Sequence, residues 1–252
     1  MREWITGRNP VYEVLRAGRR EAYCLLIAEG AQEKGRLAEI TQISASRKIS
    51  IEHVPRGRLD PLGNGHQGVA LQASGYPYSS LPDILSSTQD HAEPPFILIL
   101  DALQDPQNLG TLLRTAESVG VHGVLLPLRH TTTVTPAVVS ASSGACEHLL
   151  VAQANLAQAI TRFKENGIWV VGLEASQPAE NISRVRLDGA LALVVGSEGE
   201  GMRHLVRQSC DVLTYLPMRG QIASLNAAVA GSIALYLAWQ ARHFEGFPQQ
   251  NH

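Results

Sequence analysis

The sequence predicts an α/β chain built from two units, a small mixed one followed by a larger one with a parallel sheet. Three observations carry this. Short helical and strand patterns alternate over residues 9–73. A stretch rich in Pro, Ser and Asp interrupts them at 75–95. Beyond it, five apolar runs of about five residues, rich in Val, Ile and Leu, are separated by helical patterns. Strands with no polar alternation belong to a sheet covered on both faces.

The elements follow in order. Asn9-Pro10-Val11-Tyr12-Glu13-Val14-Leu15 reads as a helix start, with Asn at the cap and Pro in the first turn. Cys24–Ala28 is a short strand, and Lys34–Ser46 repeats apolar residues at 37, 40 and 43 as a helix does. Ile49–Val54 and Gly68–Ala73 are strands. Residues 1–75 form the first domain and 76–94 a linker holding one short helix at Ser80–Ser86. Residues 95–252 form the second domain. There, strands are expected at Phe96–Leu100, Gly123–Leu126, Trp169–Leu173, Leu191–Val195 and Val212–Leu216, and helices at 109–119, 136–145, 155–166, 201–209 and 223–242. Ligands of such sheets bind beyond the carboxyl ends of the strands. Chemistry is therefore sought after Leu100, Leu173, Val195 and Leu216.

Composition narrows the class. Of 252 residues, 44% are hydrophobic and 17% charged, as in ordinary globular proteins. The net charge of −2 hides a front of +3 over 1–75 and a back of −5 over 76–252, which places any polyanion against the front. Only three of the 21 basic residues are lysines; the rest are arginines, suited to bidentate phosphate contacts. The three cysteines, Cys24, Cys146 and Cys210, form no CxxC pair, so neither a disulfide framework nor a zinc site is expected. The nine histidines form no ligand cluster, and no metal is expected. No leader-like segment or membrane span is recognised, and a cytoplasmic location is the expectation.

Three segments stand at the predicted strand ends. Asp101–Ser118 leaves a strand, turns at Asp105-Pro106 and enters a helix near Asn108. Arg114 interrupts its apolar face of Leu109, Leu112, Leu113 and Ala116. By itself this reads equally as a salt-bridged helix arginine with Asn108 as N-cap. Val194–Met202 carries Gly196, Gly199 and Gly201 between strand and helix, letting a ligand approach the backbone. It is neither GxGxxG nor a P-loop, and its Glu198 and Glu200 oppose a phosphate cradle. Leu216–Ala230 ends a strand and opens a small-residue helix near Ser224, suited to close packing.

Together these segments resemble the three motifs of the SpoU (TrmH-like) branch of the SPOUT RNA 2′-O-methyltransferases. The matches are Asp101–Gly110 with Arg114, Val195–Gly201, and Leu216–Gly220 with Ser224-Leu225-Asn226. Gly7-Arg8-Asn9-Pro10-Val11 and Gly65-His66-Gln67-Gly68-Val69-Ala70 resemble the ends of the ribosomal-protein-L30e-like substrate-binding domain of the RlmB-like 23S rRNA guanosine 2′-O-methyltransferases. The resemblance implies a C-terminal α/β trefoil-knot domain, although knotted chains are rare. It implies S-adenosyl-L-methionine (SAM) as cofactor, at Gly172, Leu173, Gly196, Gly201, Leu216, Met218, Ser224 and Leu225. It implies catalytic roles for Asn108, Arg114, Glu198, Ser224 and Asn226, RNA contacts at Arg8, Asn9, His66 and Gln67, and a homodimer through the knotted domain. The implied reaction is methyl transfer to a ribose 2′-hydroxyl of RNA, with rRNA favoured. Competing readings are a tRNA 2′-O-methyltransferase and a non-catalytic RNA-binding module of the same fold.

Overall fold

A computed structural model describes residues 2–63, 65–90, 93–175, 178–199, 201–222 and 224–246. Glu200 and positions 91–92 of the expected linker lie outside them. In chain order the elements are β1 (Arg2–Thr6), α1 (Arg8–Ala17), β2 (Ala22–Ala28), α2 (Arg36–Ser46), β3 (Ser50–Val54), β4 (Val69–Ser74), α3 (Leu81–Asp90) and β5 (Phe96–Leu100). Then come α4 (Pro106–Ser118), β6 (Gly123–Pro127), α5 (Pro136–Ala141), β7 (Val151–Ala154), α6 (Leu156–Glu165), β8 (Trp169–Leu173), β9 (Glu180–Asn181), β10 (Leu191–Val195), α7 (His204–Ser209), β11 (Val212–Tyr215) and α8 (Ala227–Ala241). The chain divides into two compact units: residues up to Pro77 together with 133–148, and 78–132 together with the rest from Leu149.

The first unit is a four-stranded sheet in the order β1-β4-β2-β3. β1 and β2 run antiparallel to β4, and β3 runs parallel to β2. Its core gathers buried residues such as Ile5, Val11, Leu15, Leu25, Ile27 and Leu71. The edge strand β1 carries only Trp4 and Ile5 as apolar residues, too short a pattern to announce itself.

Residues 133–148 were expected to cover the second sheet as a helix over 136–145. Instead α5 ends at Ala141, and left-handed backbone at Ser143 (φ 55) and Gly144 (φ 87) turns the chain into a 3-10 turn, Ala145–His148. Gly144 is needed there, because a Cβ would lie 2.6 Å from Glu13 Cβ. The turn delivers Glu147, fully buried, to Arg20. Arg20 Nε donates to Glu147 Oε2 at 3.0 Å and Nη2 to Oε1 at 2.7 Å. The same guanidinium also donates to Glu3 Oε2 at 3.0 Å and to the Ser74 carbonyl at 3.2 Å. Tyr76 lies beside it, 5.2 Å from ring centroid to Arg20 Cζ, and donates its hydroxyl to the Cys146 carbonyl at 2.9 Å. A buried cation is tolerated only when paired and hydrogen-bonded in this way.

The second unit is a parallel sheet in the order β7-β6-β5-β10-β8-β11-β9, with the central strands β5, β6 and β10 buried throughout. The helix of the expected linker is α3. Ser80 and Asp83 cap it reciprocally, with Ser80 N donating to Asp83 Oδ2 at 2.7 Å and Asp83 N to Ser80 Oγ at 3.3 Å. Ile84 anchors α3 in the core, where Gly123 leaves room for it: a Cβ at 123 would lie 2.5 Å from the Ile84 side chain. α8 packs on α4 through Gly231, whose Cβ would meet Leu112 at 2.6 Å, and through a 2.9 Å contact between the Thr115 and Ser232 hydroxyls. No described helix is long and apolar enough to cross a membrane.

Candidate active site

The parallel register brings the ends of β10, β8 and β11 to one edge of the sheet: Val195 lies opposite Leu173, and Leu173 opposite Thr214. The loops that leave these strands enclose a cleft of about 570 Å³. Its walls include Leu173, Gly196, Ser197, Glu198, Gly201, Leu216, Met218, Ser224, Leu225 and Asn226. Seven of the expected cofactor residues thus come together.

Gly172 does not line it. Its Cα faces the protein interior, where a Cβ would lie 2.8 Å from Met202 Cε and 2.9 Å from Leu213 Cδ2. Packing by itself already requires that glycine.

The glycine-rich loop is tightly folded. Ser197 and Gly201 exchange backbone hydrogen bonds at 3.0 and 3.1 Å, with Gly199 (φ 83) and Gly201 (φ 69) left-handed. At Gly196 a Cβ would lie 2.4 Å from the Gly201 carbonyl carbon, so only glycine lets the loop fold back on itself. Asp101, fully buried at the end of β5, fixes the far side of this loop. It accepts from Arg203 N at 2.7 Å through Oδ2 and from Arg203 Nε at 2.7 Å through Oδ1. Asp101 belongs to the first motif, which does not by itself reveal this role. An acid directly after a fully apolar strand was the available signal.

Glu198 joins the first and third segments. Its Oε1 accepts from Asn108 Nδ2 at 3.3 Å, from Ala227 N at 3.2 Å, and from Asn226 Nδ2 at short range. Asn226 Nδ2 also reaches Asn108 Oδ1 at 3.0 Å. Asn226 caps α8 as well, its Oδ1 accepting from Ala228 N at 2.9 Å and Val229 N at 3.1 Å. Helix α8 therefore starts at Ala227, behind its cap Asn226 and later than the expected opening near Ser224. Likewise, α4 is capped by Asp105, which accepts from Gln107 N at 3.0 Å, so Asn108 is free of a capping role and turns to Glu198.

Arg114 is on α4 and exposed, and it is not among the residues that line the cleft. Six positions on a helix separate it from Asn108 by about 120° around the axis and about 9 Å along it. Within one chain, therefore, Asn108 reaches the network at the strand ends and Arg114 does not.

In the first unit, Arg8, Asn9 and Gln67 lie near one another at the start of α1. Gln67 caps that helix from a distance: its Oε1 accepts from Arg8 N at 3.0 Å, and its carbonyl accepts from Arg8 Nε at 3.3 Å. Helix α1 begins at Arg8, so Asn9 is an exposed first-turn residue and not the cap. His66 is turned inward, 5% exposed. Its Nδ1 accepts from Gly68 N at 3.0 Å, so the proton is on Nε2, which donates to Asp60 Oδ1 at 3.1 Å. The expected RNA-facing orientation of His66 is thereby corrected: the ring holds the loop that presents Gln67. Among the described residues no group of three His, Cys, Asp or Glu could hold a metal ion.

Comparison with known proteins bears on both units. Residues 95–236 match the SpoU rRNA Methylase family, and residues 4–79 match the RNA 2′-O ribose methyltransferase substrate binding domain. A Bacillus subtilis (strain 168) protein, YacO, assigned to the TrmH family of tRNA/rRNA methyltransferases, is 42% identical over 243 residues, 96% of each chain. The fold is similar to that of the SpoU methyltransferase AviRb from Streptomyces viridochromogenes in complex with AdoMet, at 20% identity and a TM-score of 0.80, covering 96% of this chain and 91% of that one. It is also similar to an RNA 2′-O ribose methyltransferase structure at 25% identity and a TM-score of 0.76, covering 96% and 89%.

Proposed function

Because this chain belongs to the SpoU family of RNA 2′-O-ribose methyltransferases, we propose that it methylates a guanosine ribose in 23S rRNA, using SAM. The observation that carries this reading is the Asn108–Glu198–Asn226 network standing at the mouth of a glycine-walled cleft. The rRNA preference rests on the substrate-binding match over residues 4–79, which supplies a second RNA-gripping unit.

The cleft suits SAM. Its volume lies within the range of roughly 300–1,000 Å³ usual for cofactor sites. Leu173, Leu216, Met218 and Leu225 offer apolar walls for a purine, and the folded backbone at Gly196 and Gly201 allows close approach. SAM supplies a methyl group activated on a sulfonium. Asn108, Asn226 and Glu198 then have to hold the ribose so that its 2′-oxygen is in line; alignment of this kind can contribute roughly 7–11 kcal/mol. Glu198 orients the hydroxyl, and Ser224 borders the same wall.

Arg114 is assigned to the reacting hydroxyl in one of two ways. As a base it would have to give up its proton transiently, and a guanidinium holds its proton at neutral pH and is a poor general base. The alternative is that Arg114 stays cationic, binds the neighbouring phosphate and stabilises the developing oxyanion.

Its place outside its own cleft supports a homodimer in which the partner completes the site. The exposed apolar stripe Val229, Ile233 and Tyr236 along α8, beside α4, supports the same arrangement. The test is label transfer from methyl-labelled SAM to separated rRNA and tRNA pools, followed by nucleoside mass spectrometry. 2′-O-methylguanosine in 23S rRNA is expected. Label confined to tRNA would favour the tRNA reading, and no SAM binding at millimolar concentration by calorimetry would favour a binding module.

A further inference from the structure

The loop after β6 presents Leu128, Arg129 and His130 to solvent, with Leu128 64% exposed. The β5–β6 pairing Ile99↔Leu125, carried two residues further, sets Pro127 opposite Asp101. The loop therefore leaves the same sheet edge as the catalytic loops, two strand spacings, about 10 Å, from the end of β10. It is held in place rather than loose. Thr131 Oγ1 and Thr132 N both donate to the carbonyl of Leu103, at 2.8 and 2.7 Å, and Leu103 is buried. His130 takes left-handed backbone, φ 59, at the tip.

Charge on this edge is uneven. Asp101 is engaged by Arg203, Asp105 by Gln107 N, and Glu198 by the two asparagines. Among the described residues no carboxylate pairs with Arg129 or His130. A fixed tip carrying an apolar side chain, an unopposed guanidinium and an aromatic ring has the chemistry that single-stranded RNA recognises, phosphate pairing with base stacking.

We propose that Leu128, Arg129 and His130 grip the RNA strand beside the methylated nucleotide, Arg129 on a phosphate and His130 stacked on a flanking base with Leu128 beneath it. The inference rests on the ribose-methylation reading above and adds residues outside its motifs. Its test is steady-state methylation of an rRNA fragment by the full-length protein over a salt series, for wild type, R129A, R129K and H130A. R129A and H130A are each expected to raise the RNA KM about tenfold, with kcat and the SAM Kd within twofold. R129A lowers the log–log salt slope of RNA binding by about one, and R129K restores it. An unchanged RNA KM and salt slope would overturn the proposal, as would a loss confined to SAM affinity. Wild-type protein that methylates no RNA would remove the underlying reading, and the proposal with it, before any variant is compared.

Discussion

Gly196 and Glu198 stand two residues apart and are constrained in opposite ways, one by backbone crowding and the other by the donors around a single oxygen. In Gly196→Ala the new Cβ has nowhere to go. A melting-temperature drop equivalent to at least about 1–3 kcal/mol is expected, with SAM binding lost in calorimetry. Arg114→Ala should lower kcat by about 10²–10³, as removal of one transition-state donor does. Arg114→Lys separates the two roles: near-normal activity with an unchanged pH profile around neutrality would exclude the strict arginine-base version, since lysine keeps the charge but gives up its proton more readily than arginine. The identities of Asn108, Glu198 and Asn226 were legible as motif residues. Their mutual bonding was not, because the partners are 90 and 118 residues apart and only the parallel register brings them together. The surroundings of Gly172 and His66 were not legible for a related reason. A glycine reads the same whether a ligand or a methionine fills the space beside it, and a loop histidine gives no sign of which way it points.

Burial separates the three cysteines. It pushes the Cys146 and Cys210 thiols up to about 12, while Cys24, on the more open β2, is raised less. A folded-state pKa above the ordinary value near 8.5 means the fold favours the protonated thiol. The stability from Cys146 and Cys210 is therefore complete below about pH 8.5 and is lost as pH rises towards 12. Alkaline denaturation should show it, and at pH 8 a thiol reagent should modify Cys24 first in the native protein. At the scale of elements, long strands with unbroken Val, Ile and Leu were legible end to end. The two-residue β9, the edge strand β1 and the short β7 were not, since each holds too few apolar residues to form a pattern. The fate of 136–148 was the larger surprise. Pro136-Ala-Val-Val reads as sheet-covering helix, yet Glu147 has its partner, Arg20, in the first unit. Arg20→Met leaves Glu147 buried and uncompensated and should cost about 3–5 kcal/mol in thermal melts; Glu147→Gln, which leaves Arg20 paired with Glu3, should cost less, and joint replacement of Arg20 and Glu147 by Met should recover much of the loss.

For the molecule as a whole, the dimer expectation rests on α8, whose apolar residues extend around its circumference and leave Val229, Ile233 and Tyr236 uncovered. Val229→Asp with Ile233→Asp should yield monomers in analytical ultracentrifugation. If the partner completes the site, methyl transfer should fall with the dimer fraction while the fold, followed by circular dichroism, persists. The excursion of residues 133–148 has a further consequence. The chain passes between its two units three times, at 77–78, 132–133 and 148–149. Cutting the peptide once near residue 77 therefore releases neither half. A gene fragment starting at residue 95 would encode an orphaned segment, 133–148, whose Val138, Val139 and Glu147 had lost their surroundings. Trimming at the apparent border therefore does not separate the halves of this protein, because part of the first unit is encoded inside the second.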